Sequence, residues 1–175
     1  MNASFHLIPE LKDSNQRVVA WFTNIPTAAF FAREGDAWSA SENLDHLIRS
    51  HKPIALALKL PRLTLKAMFG SADQPSRSYE AICDVYRAKL AEGAVATGKY
   101  IPDRHIPDEP ESAKSDVLAQ FSKVSANLVS VAERWSDIDL DEYLLPHPLI
   151  GKLTIREMLY FTIYHNVRHA SLLGD

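Results

Sequence analysis

The sequence predicts an all-α protein built as an antiparallel four-helix bundle, and three observations carry that prediction. Four long segments place apolar residues three and four positions apart, the spacing of one helix face. All six glycines (35, 70, 93, 98, 151 and 174) and most prolines fall between those segments, where they punctuate helices. Few segments alternate with period two, and runs of β-branched residues are lacking, so a sheet has little to form from.

The first helix is expected from about Pro9 to Thr23, with proline tolerated in its first turn and Leu11, Val18 and Phe22 on one face. Asn24 and Pro26 end it. The second begins in SASENLDHL, where Ser39 or Ser41 can cap and Glu42 stands three residues after Ser39, the spacing of a capping box. It is expected to reach Leu60, with a kink at Pro53. Between Pro61 and Pro110 the pattern weakens, leaving a shorter helix at Tyr79 to Leu90 inside an irregular, partly helical excursion or lid. Regularity returns from Glu111 to Trp135, where Val117, Phe121, Val124, Leu128, Val131 and Trp135 alternate steps of four and three. After the turn DEYLLPHPLIG, Thr154 and Glu157 form a second capping box that starts a last helix reaching Leu173. No repeat or low-complexity tract interrupts the pattern, and residues 1–175 read as one helical domain.

Composition narrows the function. With 19 basic and 22 acidic residues and a formal charge of -3, the chain has no cationic excess to neutralise a phosphate backbone, which argues against a nucleic-acid partner. The single cysteine, Cys83, excludes an internal disulfide and a cysteine-rich zinc site. No signal-like start and no apolar stretch long enough to span a bilayer occur, so no membrane partner and a cytoplasmic location are expected. Cys83 lies in the apolar context AICDVY without an adjacent base in sequence, as a buried structural thiol would.

The chemistry concentrates in FTIYHNVRHASLL. His165 and His169 are four apart, which on a helix puts both imidazoles on one face, one turn apart, able to chelate one ion. Met158, Thr162 and Leu172 share that face, so the pair points into the bundle. This is not the zinc-protease motif, because Asn166 stands where H-E-x-x-H carries its water-activating glutamate. Two imidazoles leave most of a coordination sphere open, and the second helix offers His46 and His51 as a third ligand. Leu44, Leu47, Ile48, Ala55 and Leu58 put His51 near the centre of the apolar face, while His46 shares a strip with Glu42, Asn43 and Ser50. Periodicity favours His51. A polar strip lining a cavity would favour His46, so spacing leaves the choice open.

The segment WSASENLDHLIRSH, followed over a hundred residues later by HPLIGKLTIREMLYFTIYHNVRH, resembles the DinB-like superfamily, named from DNA-damage-inducible proteins. Bacillithiol and mycothiol transferases share that architecture, and the resemblance covers almost the whole chain. It implies that the metal ligands are the histidine of the W-S…H-L element and the two of the final H-x-x-x-H, which here are His46, His165 and His169. By the same resemblance His51 is a core or supporting histidine. The chain departs from many relatives at Leu172, where they carry glutamine.

Other residues receive smaller roles. His147 in LLPHPLIG is expected to be structural, and His6 and His105 to lie in surface loops. Trp38 is expected against the last helix, Arg168 in a salt bridge, and Glu42, one turn before His46, is the candidate acid or base. Nitrogen ligands suit a divalent transition ion, zinc or nickel foremost. The functional expectation is a metal-dependent enzyme on a small molecule, either a thiol S-transferase using a low-molecular-weight thiol or a hydrolase. The rival expectation is a non-catalytic bundle whose ion is structural or whose cavity binds a ligand. A homodimer formed through Phe30, Phe31 or the 61–110 excursion completes the expectations.

Overall fold

A computed structural model describes residues 6–104 and 107–170. The elements in order are α1 (Leu7–Asn24), α2 (Thr27–Phe31), α3 (Ala40–Ala57), α4 (Arg62–Phe69), α5 (Tyr79–Ala91), a single 3-10 turn (Gly98–Tyr100), α6 (Pro110–Ala132), α7 (Asp137–Glu142), β1 (Leu144–His147), β2 (Gly151–Thr154) and α8 (Ile155–His169). The fold is all-α apart from the small hairpin, and α1, α3, α6 and α8 form the bundle. No helix of the described residues is long and apolar enough to cross a membrane.

Both capping boxes form. Ser39 Oγ accepts from the Glu42 N–H at 3.2 Å while Glu42 Oε2 accepts from the Ser39 N–H at 2.8 Å. Thr154 and Glu157 repeat the arrangement at 3.1 Å in each direction. These pairs satisfy amide donors that a helix start otherwise leaves open, so both helices begin where the sequence says they should. The helix α3 continues through Pro53, although the missing proline N–H removes one ladder bond, and ends at Ala57 instead of Leu60.

The direction of each helix explains the excursion. Lys114 near the start of α6 donates to the Thr23 carbonyl at the end of α1 (3.0 Å), and Lys12 near the start of α1 pairs with Glu133 beyond the end of α6, so these two run antiparallel. The Trp135 indole donates to the Leu58 carbonyl at 3.2 Å, which puts the ends of α3 and α6 side by side and makes that pair parallel. The chain leaving α3 must therefore return along the length of the bundle before α6 can start. Residues 58–109 are that crossover.

The crossover is tied down along its course. It contains α4, which the sequence pattern did not separate from loop, and α5, whose Tyr79–Ala91 span matches the expectation closely. Arg77 binds Glu157 through its backbone N–H and its guanidinium, both at 2.8 Å to Oε1, and Lys152 of β2 donates to the Phe69 carbonyl. In α5, Tyr86 packs edge-on against Phe161 at 4.9 Å and against Tyr164 at 6.1 Å. The helix α8 is consequently buried on nearly every side, from Ile155 to Asn166 with only Arg156 partly exposed. Cys83 sits in α5 as a buried thiol, and burial pushes its pKa up.

The turn DEYLLPHPLIG holds more structure than its sequence suggests: α7 and an antiparallel hairpin with Leu145 opposite Leu153 and His147 opposite Gly151. Four-residue strands are too short to display an alternation that can be told from chance. Phe30, named as an exposed dimer contact, is instead fully buried beside Phe22 and contributes to the core. Leu172 and the predicted end of the last helix at Leu173 lie outside the described residues, as does His105.

Candidate metal centre

The helices α3 and α8 are neighbours running in opposite directions, so residues near the start of one face residues near the end of the other. That geometry brings His46 to His165 and His169. Their ring centroids lie 4.5 to 4.9 Å apart in every pairing. One nitrogen from each lies within 4.8 Å of the other two, a cluster that could hold a metal ion.

Hydrogen bonds aim the nitrogens. His46 Nδ1 donates to the Tyr100 carbonyl at 2.6 Å, which leaves Nε2 with a free lone pair. His169 Nδ1 donates to Asn43 Oδ1 at 2.8 Å, with the same consequence. The Asn43 amide cannot be reversed without loss, because its Nδ2 already donates to the Trp38 and Ser39 carbonyls at 3.2 and 2.9 Å. Nε2 of His46 and Nε2 of His165 stand 3.1 Å apart. Two nitrogens on a tetrahedral ion with bonds of about 2.0–2.1 Å would be separated by about 3.3 Å, so the pair needs almost no adjustment. A partner on the far nitrogen of a ligating histidine is the usual support of such sites.

Electrostatics favour neutral rings. Burial lowers the pKa of His46, and burial together with the neighbouring rings takes that of His165 well below its ordinary value. His169 is pushed down to about 3, again chiefly by burial. A neutral imidazole is the form that binds a cation, so no proton has to be displaced at neutral pH.

A cavity of about 690 Å³ reaches the cluster from one side. Trp38 walls it there, lying nearly parallel to the His169 ring at 6.2 Å and tilted on His46 at 5.0 Å. It thus packs on α8 as expected and also bounds the cavity. Ile54, Phe69, Leu90 and Met158 make the rest of the cavity largely apolar. The side chain of Arg49 pairs with Asp45 at 2.7 Å and with Asp103 at 2.6 Å, which fastens the segment carrying Tyr100 onto α3.

The family profile of the DinB superfamily matches residues 10–173. The chain belongs to the DinB superfamily. No curated protein matches it. Within this DinB fold the three clustered histidines are those that the resemblance singled out: His46, and not His51, lies beside His165 and His169. His51 is fully buried in the core, with Nδ1 on the Leu47 carbonyl at 2.7 Å and its ring edge-on to Phe121 at 5.4 Å. Periodicity ranked it correctly as core-facing.

Two expectations for this DinB chain need correction. Glu42 does not line the cavity; its carboxylate is held by Arg33 through both oxygens and by the capping box, and Arg33 keeps it below the usual carboxylate range. Its contacts place it at the start of α3, away from the cavity. Arg168 makes no ion pair among the described residues; it is exposed at the cavity. Conversely, Asn43 and Tyr100 were missed as supports. Asn43 was detectable, since it precedes His46 by three positions on the same helical strip. Tyr100 acts through its backbone carbonyl, and a carbonyl leaves no trace in the residue type.

Proposed function

We propose that the chain is a metal-dependent enzyme acting on small molecules, with His46, His165 and His169 as the protein ligands of one divalent transition ion, zinc or nickel foremost. The observation that carries the reading is the convergence of three neutral imidazoles at the end of a cavity large enough for a small molecule. Three protein ligands with an open approach are the pattern of reactive sites, whereas structural sites are closed by four. The ion, when bound, would lower the pKa of a thiol or water at its free position.

The residues around the cluster favour a thiol as nucleophile. Hydrolysis at such centres commonly relies on a carboxylate beside the ion to take a proton from water. Here Glu42 is committed to Arg33, and Asp36 is the one acidic residue lining the cavity among the described residues. A thiol, with an ordinary pKa of about 8.5, loses its proton without such help. In thiol transfer the S–H proton goes to solvent, sulfur forms the new bond to an electrophilic carbon, and the leaving group departs with its electron pair. Trp38 shields one side of the histidines and Asn43 and Tyr100 hold two of the rings in place during this exchange.

Elemental analysis of purified wild type beside His46→Ala, His51→Ala and His165→Ala tests the ligand set. One ion per chain is expected in wild type and His51→Ala, with loss in the other two; an ion retained by His46→Ala and lost by His51→Ala would overturn it. Retention of helical structure under a chelator supports an open reactive site, and unfolding would instead indicate a structural ion. Cobalt-loaded protein titrated with small thiols should develop sulfur-to-cobalt charge-transfer absorption, and its absence would remove the thiol assignment.

A further inference from the structure

His147 closes β1 and is 9% exposed. Its Nδ1 accepts the N–H groups of Leu149 and Ile150 at 3.1 and 3.2 Å, which shapes the hairpin turn as expected for a structural histidine. The same two bonds have a second effect. A ring nitrogen that accepts carries no hydrogen, so the proton of the neutral ring must be on Nε2. Burial pushes the ring's pKa down to about 4, and the neutral form prevails at physiological pH.

Nε2 has no acceptor among the described residues, and it is not sealed in the way that His51 Nε2 is. His147 lines the cavity, and with Nδ1 committed to the turn the Nε2–H is the polar group its ring can present there. The ring lies 4.3 Å from that of Phe161, which in turn lies 4.9 Å from that of His165. A donor with its tautomer set by the backbone thus stands one aromatic ring away from the three-histidine cluster. A ligand oxygen entering the cavity can accept from such a donor.

The charged residues lining the cavity say which kind of oxygen. Lys99 and Arg168 contribute two cations against the single acid Asp36, and Arg168 has no ion-pair partner among the described residues. The remaining wall is largely apolar. We propose that His147 binds substrate by donating from Nε2–H to a carboxylate oxygen, so that the substrate class is an organic acid with an apolar body. Its reacting end faces the three histidines. This deepens the reading of the cavity as a reactive site and rests on it.

The test compares zinc-loaded wild type with His147→Asn. Asparagine can accept the two turn N–H groups through its side-chain oxygen but cannot reach the Nε2 position, so the hairpin survives while the donor is lost. Wild type should bind 3-mercaptopropionate more than tenfold more tightly than 1-propanethiol, and the ratio should fall about tenfold in His147→Asn, the worth of one hydrogen bond to a charged group. Nitrogen-15 spectra of the wild-type ring should show the Nε2–H tautomer, with that proton shifting on addition of butyrate. A ratio unchanged in His147→Asn, an Nδ1–H tautomer, or no shift with butyrate would each overturn the proposal. Failure of both thiols to bind, with the butyrate shift present, would remove the thiol reading and leave the carboxylate contact standing.

Discussion

Asn43 and His169 form a directional pair: the asparagine's Nδ2 is held by two backbone carbonyls, so its Oδ1 accepts from His169 Nδ1 at 2.8 Å and turns the opposite nitrogen toward His46 and His165. Replacing Asn43 with leucine should leave the bundle folded and weaken metal affinity roughly 10- to 100-fold, the usual effect of removing a partner behind a ligating histidine. Asn43→Asp keeps an acceptor and should retain most of the affinity. Competition against a chelating indicator measures both, and equal affinity in wild type and Asn43→Leu would show that the ring needs no support.

Glu42 gives a prediction of the opposite kind. Its carboxylate caps α3 and binds Arg33 without lining the cavity. Glu42→Ala should lower stability by about 1–2 kcal/mol through the lost cap, seen as a lower melting temperature, with metal content unchanged. If the variant kept its stability and lost only catalytic turnover, the carboxylate would be an acid or base after all.

Acid should loosen the fold through the buried histidines. His51 is fully buried, and desolvation lowers its pKa to about 4 against about 6.5 in the unfolded chain. Between those values the unfolded state binds the extra proton, so stability is intact above about pH 6.5 and falls as the pH drops toward 4. The full effect is on the order of 3 kcal/mol for such a ring. Urea titrations of metal-free protein at pH 7.5, 6.0 and 5.0 should trace the decline, and His51→Leu should make it shallower, with the remainder carried by the other buried rings such as His147 and His169. An equal slope in that variant would assign the acid sensitivity elsewhere.

The parts of the molecule that were legible in the sequence are those fixed by local chemistry. Ser39 with Glu42 and Thr154 with Glu157 mark two helix starts because a cap is a contact between residues three apart, and Val117 through Trp135 mark α6 because one face repeats. His165 and His169 were legible for the same reason. What escaped depends on contacts distant in sequence: the parallel alignment of α3 and α6, the pairing of Leu145 with Leu153, and the approach of the Tyr100 carbonyl to His46. His46 stood between the two cases, unreadable by period and readable by its resemblance to a known element.

The Tyr100 carbonyl also joins two events that would otherwise be independent. It belongs to the crossover, yet it orients a ring of the proposed metal site, so by linkage an ion that prefers the oriented ring also prefers the seated 97–103 segment. Metal loading should therefore register as slower tryptic cutting after Lys99 and slower amide exchange in that stretch. Occupancy of a centre buried between helices would then be reported to the outside by a segment on the protein's surface.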